Sequence, residues 1–268
     1  MDMDPKLLQI DIPARPEALV KLALLLAETD VNLQSLGTLI ESDMALAAAV
    51  MKAVNSSLYG LKGRVQTVQQ AVTYLGMREI SAVTYEIGLR SVFPPAPELH
   101  SLWERASVRG LLMGRLAQAL SMDAWSAHTA GLFEECGKAI LFKHAKAVYQ
   151  PLLASAANDA ELVILEEQTF GTSHDVLGAK LCENWGLSAA AVASVQHHVR
   201  VNSLHQLPRS SGRSVCVLSG LANTLMTDPD RLEEVTQALA PQAMLDQTLL
   251  LRGARKVKDK IDDAMDDV

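Results

Sequence analysis

Aromatic residues are scarce in this 268-residue chain, at 4%, and no stretch reaches the roughly 18 uninterrupted apolar residues of a membrane span. The best candidate, Leu19 to Ala27, is short and carries Lys21, so it reads as an amphipathic core helix. Cysteines are few: Cys136, Cys182 and Cys216 are odd in number, far apart and without a C-x-x-C pair. That excludes a disulfide framework and a zinc ribbon, and leaves three small core residues in a reducing compartment. A basic excess is also missing. The net charge is -7, which argues against a duplex-binding face. Met1 to Asp11 holds three acids and no long apolar run, unlike a secretory signal, so a cytoplasmic location is expected. Strand-like alternation, a repeat period, a G-x-S-x-G elbow and a phosphate-binding glycine motif are all lacking; Gly171, Gly178 and Gly186 do not form one.

What is present is Ala, Leu and Val within a 49% hydrophobic composition, the residues of a helical protein with a sizeable core. Asn32 and Asp43 are placed to cap helices over Leu33–Glu41 and Met44–Asn55. Residues 55–60 and Gly63 read as a loop. Thr67 caps Val68–Leu75, Gly76 stops it, and another helix runs from Met77 to about Val92. Pro94, Pro95 and Pro97 mark the strongest boundary. Helical patterns then cover Leu99–Leu120, Ala124 to about Cys136, Ala160–Phe170, His174–Trp185, Ala189–His198 and Val215–Met226, with Ser173 and Ser188 as caps. Residues 137–159 are assigned to no helix. Asp228-Pro229 opens a last pair, whose end mixes Arg252, Arg255, Lys256, Lys258 and Lys260 with Asp259, Asp262 and Asp263. With acids this close, a solvated terminal helix is expected there. The division expected is 1–95, 96–226 and a C-terminal extension, 227–268.

Two groups of residues carry a family resemblance. The first is Ile12-Pro13 through Pro16, Asp43, Asn55-Ser56, Tyr59-Gly60, Gln70-Ala71-Val72 and Leu75-Gly76. The second is Trp103, Gly131-Leu132-Phe133-Glu134-Glu135-Cys136-Gly137-Lys138, His174, His197-His198 and Ala222-Asn223. In order and spacing they resemble the HDOD family, an HD-related output domain of bacterial signalling proteins. The resemblance spans roughly residues 10 to 226. It implies an all-α fold with a helical N-terminal subdomain packed on an HD-like helical one. Taken singly, each residue has a plainer reading: Asn55 and Ser56 ending a helix, Tyr59 a core ring, Leu75-Gly76 an ordinary stop.

Active HD enzymes bind divalent metal through a first His, an adjacent His-Asp pair and a later Asp, with extra histidines when a second metal is held. By its flanking residues, this chain resembles that pattern with Arg105 at the first position, Glu134-Glu135 at the pair and Asn223 at the last. A fixed cation at Arg105 repels a metal, and Asn223 lacks the charge of Asp. His174, His197 and His198 match the extra histidines, and Lys138 matches a lysine of cyclic-dinucleotide phosphodiesterases. A metal held by His174, one of the paired histidines and one glutamate stays chemically conceivable. The alternative is electrostatic: Glu134 or Glu135 pairs with Arg105 or Lys138, or bonds a histidine, filling the old cavity with charges. The expectation is a vestigial pocket of Arg105, Glu134, Glu135, Lys138, His174, His197, His198 and Asn223, with no catalytic residue, metal or cofactor. Asn55, Ser56, Tyr59, Gly60, Leu75, Gly76 and Trp103 are expected to be structural. The implied role is non-catalytic signalling through protein partners; a degenerate metal phosphohydrolase or a nucleotide sensor is the alternative. Nucleic acid and membrane partners are not expected.

Overall fold

The computed structural model describes residues 9–28, 30, 32–56, 59, 61, 63–209 and 212–266, with side chains through residue 259. Among the described residues the chain is entirely helical, with no strand. It divides into two compact units, one built on Ala14–Val92, the other on Phe93–Ile261 with the segment ending at Pro13.

The smaller unit holds α1 (Glu17–Leu26), α2 (Leu33–Glu41), α3 (Met44–Val54) and α4 (Val68–Ser91). The starts follow from side-chain caps. Asn32 accepts from the Ser35 amide, Asp43 from the Ala45 and Leu46 amides, and Thr67 from the Gln70 amide. The apolar spacing of each helix closes a core of Leu19, Leu22, Leu36, Ile40, Val50, Val54 and Val72, all essentially inaccessible. Gly76 takes φ +79°, a left-handed conformation that breaks α4 into two helical runs, at the stop read from the sequence. Asn55 is more than a helix end. Its amide nitrogen donates to the Met51 and Val65 carbonyls at 3.0 Å each, and its oxygen accepts from the Gly63 amide at 3.1 Å. It ties both ends of the following loop together. Ser56 is exposed, Tyr59 and Leu75 are half-buried, and Gly60 lies outside the described residues.

The larger unit holds α5 (His100–Ala119), α6 (Ala124–Phe133), α7 (Cys136–Ser155), α8 (Asp159–Phe170), α9 (His174–Asn184), α10 (Ala189–Leu204), α11 (Arg213–Thr227), α12 (Leu232–Leu239) and α13 (Gln247–Asp266). α6 is its centre, with every residue but Trp125 buried. Small residues permit this: a Cβ at Gly131 would stand 2.9 Å from the Arg109 carbonyl on α5. Trp103 packs on Phe93 with ring centroids 5.4 Å apart. The Trp185 indole lies edge-on to Phe133 and donates to the Pro13 carbonyl at 2.9 Å.

Three sequence expectations are corrected. Residues 136–155 are helical as α7, in two runs divided by a kink at a non-helical Ala145 (φ −147°, ψ 61°), with Pro151 inside the second run. Ser173 does not cap α9 with its side chain, because its hydroxyl is taken by the Asp175 carboxylate. The terminal helix is not merely solvated. Leu250, Ala254 and Val257, one face at i, i+4, i+7, join Leu232, Val235 and Leu239 of α12 in the core. No helix among the described residues is long and apolar enough to cross a membrane.

The Asn55 clamp has a measurable consequence. Asn55→Ala, which removes three side-chain hydrogen bonds to backbone groups and leaves the Val65 carbonyl and the Gly63 amide without this partner, is expected to lower the unfolding free energy by about 1–3 kcal/mol in urea titrations. A change within error would mean the loop is held by other contacts.

Candidate functional site

The site begins with a turn. α6 ends at Phe133 and α7 starts at Cys136, so Glu134 and Glu135 occupy the junction, inside the larger unit and 0% and 2% exposed. Two buried carboxylates side by side need cations. α5 supplies them from successive turns. Arg105, 47% exposed along its side chain, donates from Nη2 to Glu135 Oε2 at 2.8 Å. Arg109, one turn further in and buried, places Nη1 2.6 Å from Glu135 Oε1 and Nε 3.4 Å from Glu134 Oε2. These Arg109 contacts are charge-to-charge approaches without hydrogen-bond alignment. Lys138, in the first turn of α7, donates to Glu135 Oε2 at 3.2 Å and to Asp159 Oδ1 at 2.7 Å.

The two glutamates diverge electrostatically. Burial pushes the Glu135 carboxyl up, but Arg109, Lys138 and Arg105 outweigh it and hold the group well below the usual carboxylate range. For Glu134 burial wins, and its pKa is raised to about 7 against the opposing pull of Arg109. Ser194 on α10 donates to its Oε1 at 3.1 Å. The nearby Ser219 hydroxyl on α11 also favours the charged form, but it makes no hydrogen bond of normal geometry.

A second layer lies against the first. His174, at the start of α9, and His198, on α10, are buried with ring centroids 5.3 Å apart. His174 uses both its amide, at 2.8 Å, and its Nδ1, at 2.7 Å, on Glu166 Oε2; Glu166 Oε1 accepts from the Tyr149 hydroxyl at 2.5 Å. His198 Nδ1 donates to the Val195 carbonyl at 2.7 Å. Burial, with the neighbouring His174, lowers the His198 pKa to about 4. The approach of α7 to α9 requires Gly137. A Cβ there would fall 1.8 Å from the His174 carbonyl oxygen, so any side chain would drive the two helix starts apart.

Of the residues expected in the pocket, Arg105, Glu134, Glu135, Lys138, His174 and His198 come together. His197 sits on another face of α10, half-buried, where burial and Arg200 lower its pKa. Asn223, on α11, has a half-buried side chain that joins none of the polar contacts above. Sequence reading missed Arg109, Asp159, Glu166, Tyr149 and Ser194. Arg109 had a signal: it follows Arg105 at i+4, in a helical run that turns apolar beyond it. Glu166 had none, since its burial depends on how α8 packs.

The cluster thus sits at the α6–α7 junction of a fold that is all-helical among the described residues. Residues 12–201 match the HDOD domain family, and the chain belongs to it. A protein of Treponema pallidum (strain Nichols), carried as an uncharacterized protein, is 25% identical over 225 residues; the match covers 81% of this chain and 42% of that one. Three solved structures share the fold. One, from Marinobacter aquaeolei VT8 and provisionally named a signal transduction protein, is 22% identical with a TM-score of 0.74, covering 96% of this chain and 59% of that one. An HDOD domain protein of unknown function from Geobacter sulfurreducens is 18% identical, with a TM-score of 0.68 and coverage of 95% and 93%. The third, from Shewanella amazonensis SB2B and provisionally named a phosphohydrolase, is 20% identical, with a TM-score of 0.69 and coverage of 95% and 94%. The chain thus spans about half the length of the first two relatives above. The HD fold implies a metal between the first His, the His-Asp pair and the last Asp. The residues present do not fit it: a guanidinium stands beside both glutamates, and the Asn223 side chain is not engaged.

Arg109→Met should lower stability by about 3–5 kcal/mol, because it strips a buried carboxylate of its main partner. Arg105→Ala, at the half-exposed end, should lower it by no more than about 1 kcal/mol. Equal losses in urea unfolding would show that the network does not centre on Arg109.

The pH dependence has two opposing parts. His128 and His198 fall to about 4 in the fold, both chiefly through burial, so the unfolded chain binds more protons between about 4 and 6.5 and stability drops on acidification there. Glu134 rises to about 7, so between about 4.5 and 7 the folded chain binds the extra proton and acidification favours the fold. Glu134→Gln removes only the second part. The stability lost between pH 7 and pH 5 should therefore be larger in this variant than in the wild type, as read from unfolding free energies at the two values.

Proposed function

We propose that this chain is a non-catalytic signalling module that works by holding a protein partner. The observation that carries the reading is the Arg109 guanidinium between Glu134 and Glu135, where a phosphohydrolase would need a cation to polarise its substrate. With Lys138 and Arg105 on the same carboxylate, the catalytic position of the fold is filled by the protein's own charges. The chain keeps the family's scaffold without the electrophile that hydrolysis requires.

A surface suited to a partner lies in the smaller unit. Leu24, 65% exposed, stands with Leu25 and Leu39 along a cleft of about 650 Å³ between α1 and α2, flanked by Lys21 and Glu28. An apolar floor with charges of both signs at its edge suits the face of an amphipathic helix. The structures provisionally named for signal transduction or phosphohydrolysis share this fold at under 25% identity, so they leave the choice to the site itself.

The test uses the full chain as bait in a lysate of its source, beside Leu24→Glu/Leu39→Glu protein with unchanged circular dichroism. A partner retained by the wild type and lost by the variant is the expected result. Turnover of phosphate esters with added manganese or iron, abolished by Lys138→Ala, would overturn the reading.

A further inference from the structure

Among the described residues, Arg252, Arg255, Lys256 and Asp259 form no ion pair along α13. The three cations are exposed, on the side of the helix turned away from Leu250, Ala254 and Val257 in the core. Thr248, Leu251 and Asp259 complete an open cleft of about 420 Å³ around them. Arg255 reaches instead to α12, where its Nη2 stands 3.3 Å from Glu233 Oε2.

The neighbouring edge is acidic. Asp228, Asp230, Glu233 and Glu234 lead into and begin α12, and all four are exposed. Arg231, 2.7 Å from Glu234, is the one base among them. The helix dipole favours acids at this end, but it has no bearing on the basic strip beside them. The Arg255–Glu233 contact fixes the two edges side by side, so one face carries opposite charge on its two halves. Such a face is complementary to itself. A two-fold axis along the boundary lays the acidic half of one copy on the basic half of the other, and each contact then occurs twice. Two chains of net charge -7 repel overall, so they approach favourably only where opposite signs meet. Apolar area is available at the start of α13, where Met244 and Leu249 are 89% and 50% exposed.

We propose that the α12–α13 face is an interface between two copies of this chain, in which the acidic start of α12 pairs with the basic strip of α13 in both directions. Exposed charge pairs contribute little each and are screened by salt, so the dimer is weak and forms best at low ionic strength. The face belongs to the larger unit and uses none of the residues that line the cleft between α1 and α2 in the smaller one. It therefore stands apart from the partner-binding reading, and it is measured on the purified chain alone.

The experiment is analytical ultracentrifugation over a range of concentrations, at low salt and at about 1 M, where the Debye length falls to about 3 Å. The wild type is expected to form a concentration-dependent dimer at low salt that dissociates at high salt. Arg252→Glu/Lys256→Glu turns the face mainly acidic, and Asp230→Lys/Glu233→Lys turns it mainly basic. Each variant alone, with circular dichroism unchanged, should raise the dimer Kd by about tenfold or more, because like charges now oppose one another. An equimolar mixture of the two should recover the dimer, since the altered faces complement each other. Recovery of this kind cannot come from misfolded protein. A wild type that stays monomeric at every concentration at low salt would overturn the proposal. So would a dimer that both variants keep, or a mixture that remains monomeric.

Discussion

The larger unit is organised around one guanidinium. Arg109 is carried by α5 into a space where two carboxylates meet, and each of the three charges is inaccessible without the others. Remove the cation and the junction of α6 and α7 holds unpaired negative charge in an apolar core. With it in place, Glu135 can also engage Lys138, and Lys138 can reach Asp159 on α8. Four helices are thereby referred to one centre of charge.

Small residues make that centre reachable. Gly131 lets α6 lie against the backbone of α5, and Gly137 lets the start of α7 touch that of α9. Electrostatic pairing is steep in distance, so these close approaches decide whether the charges count as paired or merely near. The G-L-F-E-E-C-G-K segment is thus a packing device and a charge device at once.

What the sequence revealed follows from what is local. Asn32, Asp43, Thr67 and Ser188 cap through bonds within three residues, and Gly76 breaks α4 through its own backbone, so each was legible from its neighbours. α7 was not: it holds Pro151 and a kink at Ala145, and its start lies against α9 through Gly137, a contact that no local pattern encodes. In the site, the glutamates, Lys138 and His174 were legible through the family pattern. Arg109, Asp159 and Glu166 were not, since each gains its role from a residue 8 to 26 positions away, across a helix contact that no spacing rule encodes. His197 and Asn223 show the converse: both match the pattern by position, and neither makes one of the polar contacts described for the pocket.

Tyr149, Glu166 and His174 form a continuous line of short hydrogen bonds from the second half of α7, across α8, to the imidazole. Tyr149 is itself fully buried, so the whole line is shielded from water. Because Glu166 binds the backbone amide of His174 as well as its ring, ring and helix start move as one body. The arrangement is a strut. A displacement of the second half of α7 reaches the His174 ring through this line without passing through the softer apolar packing around it.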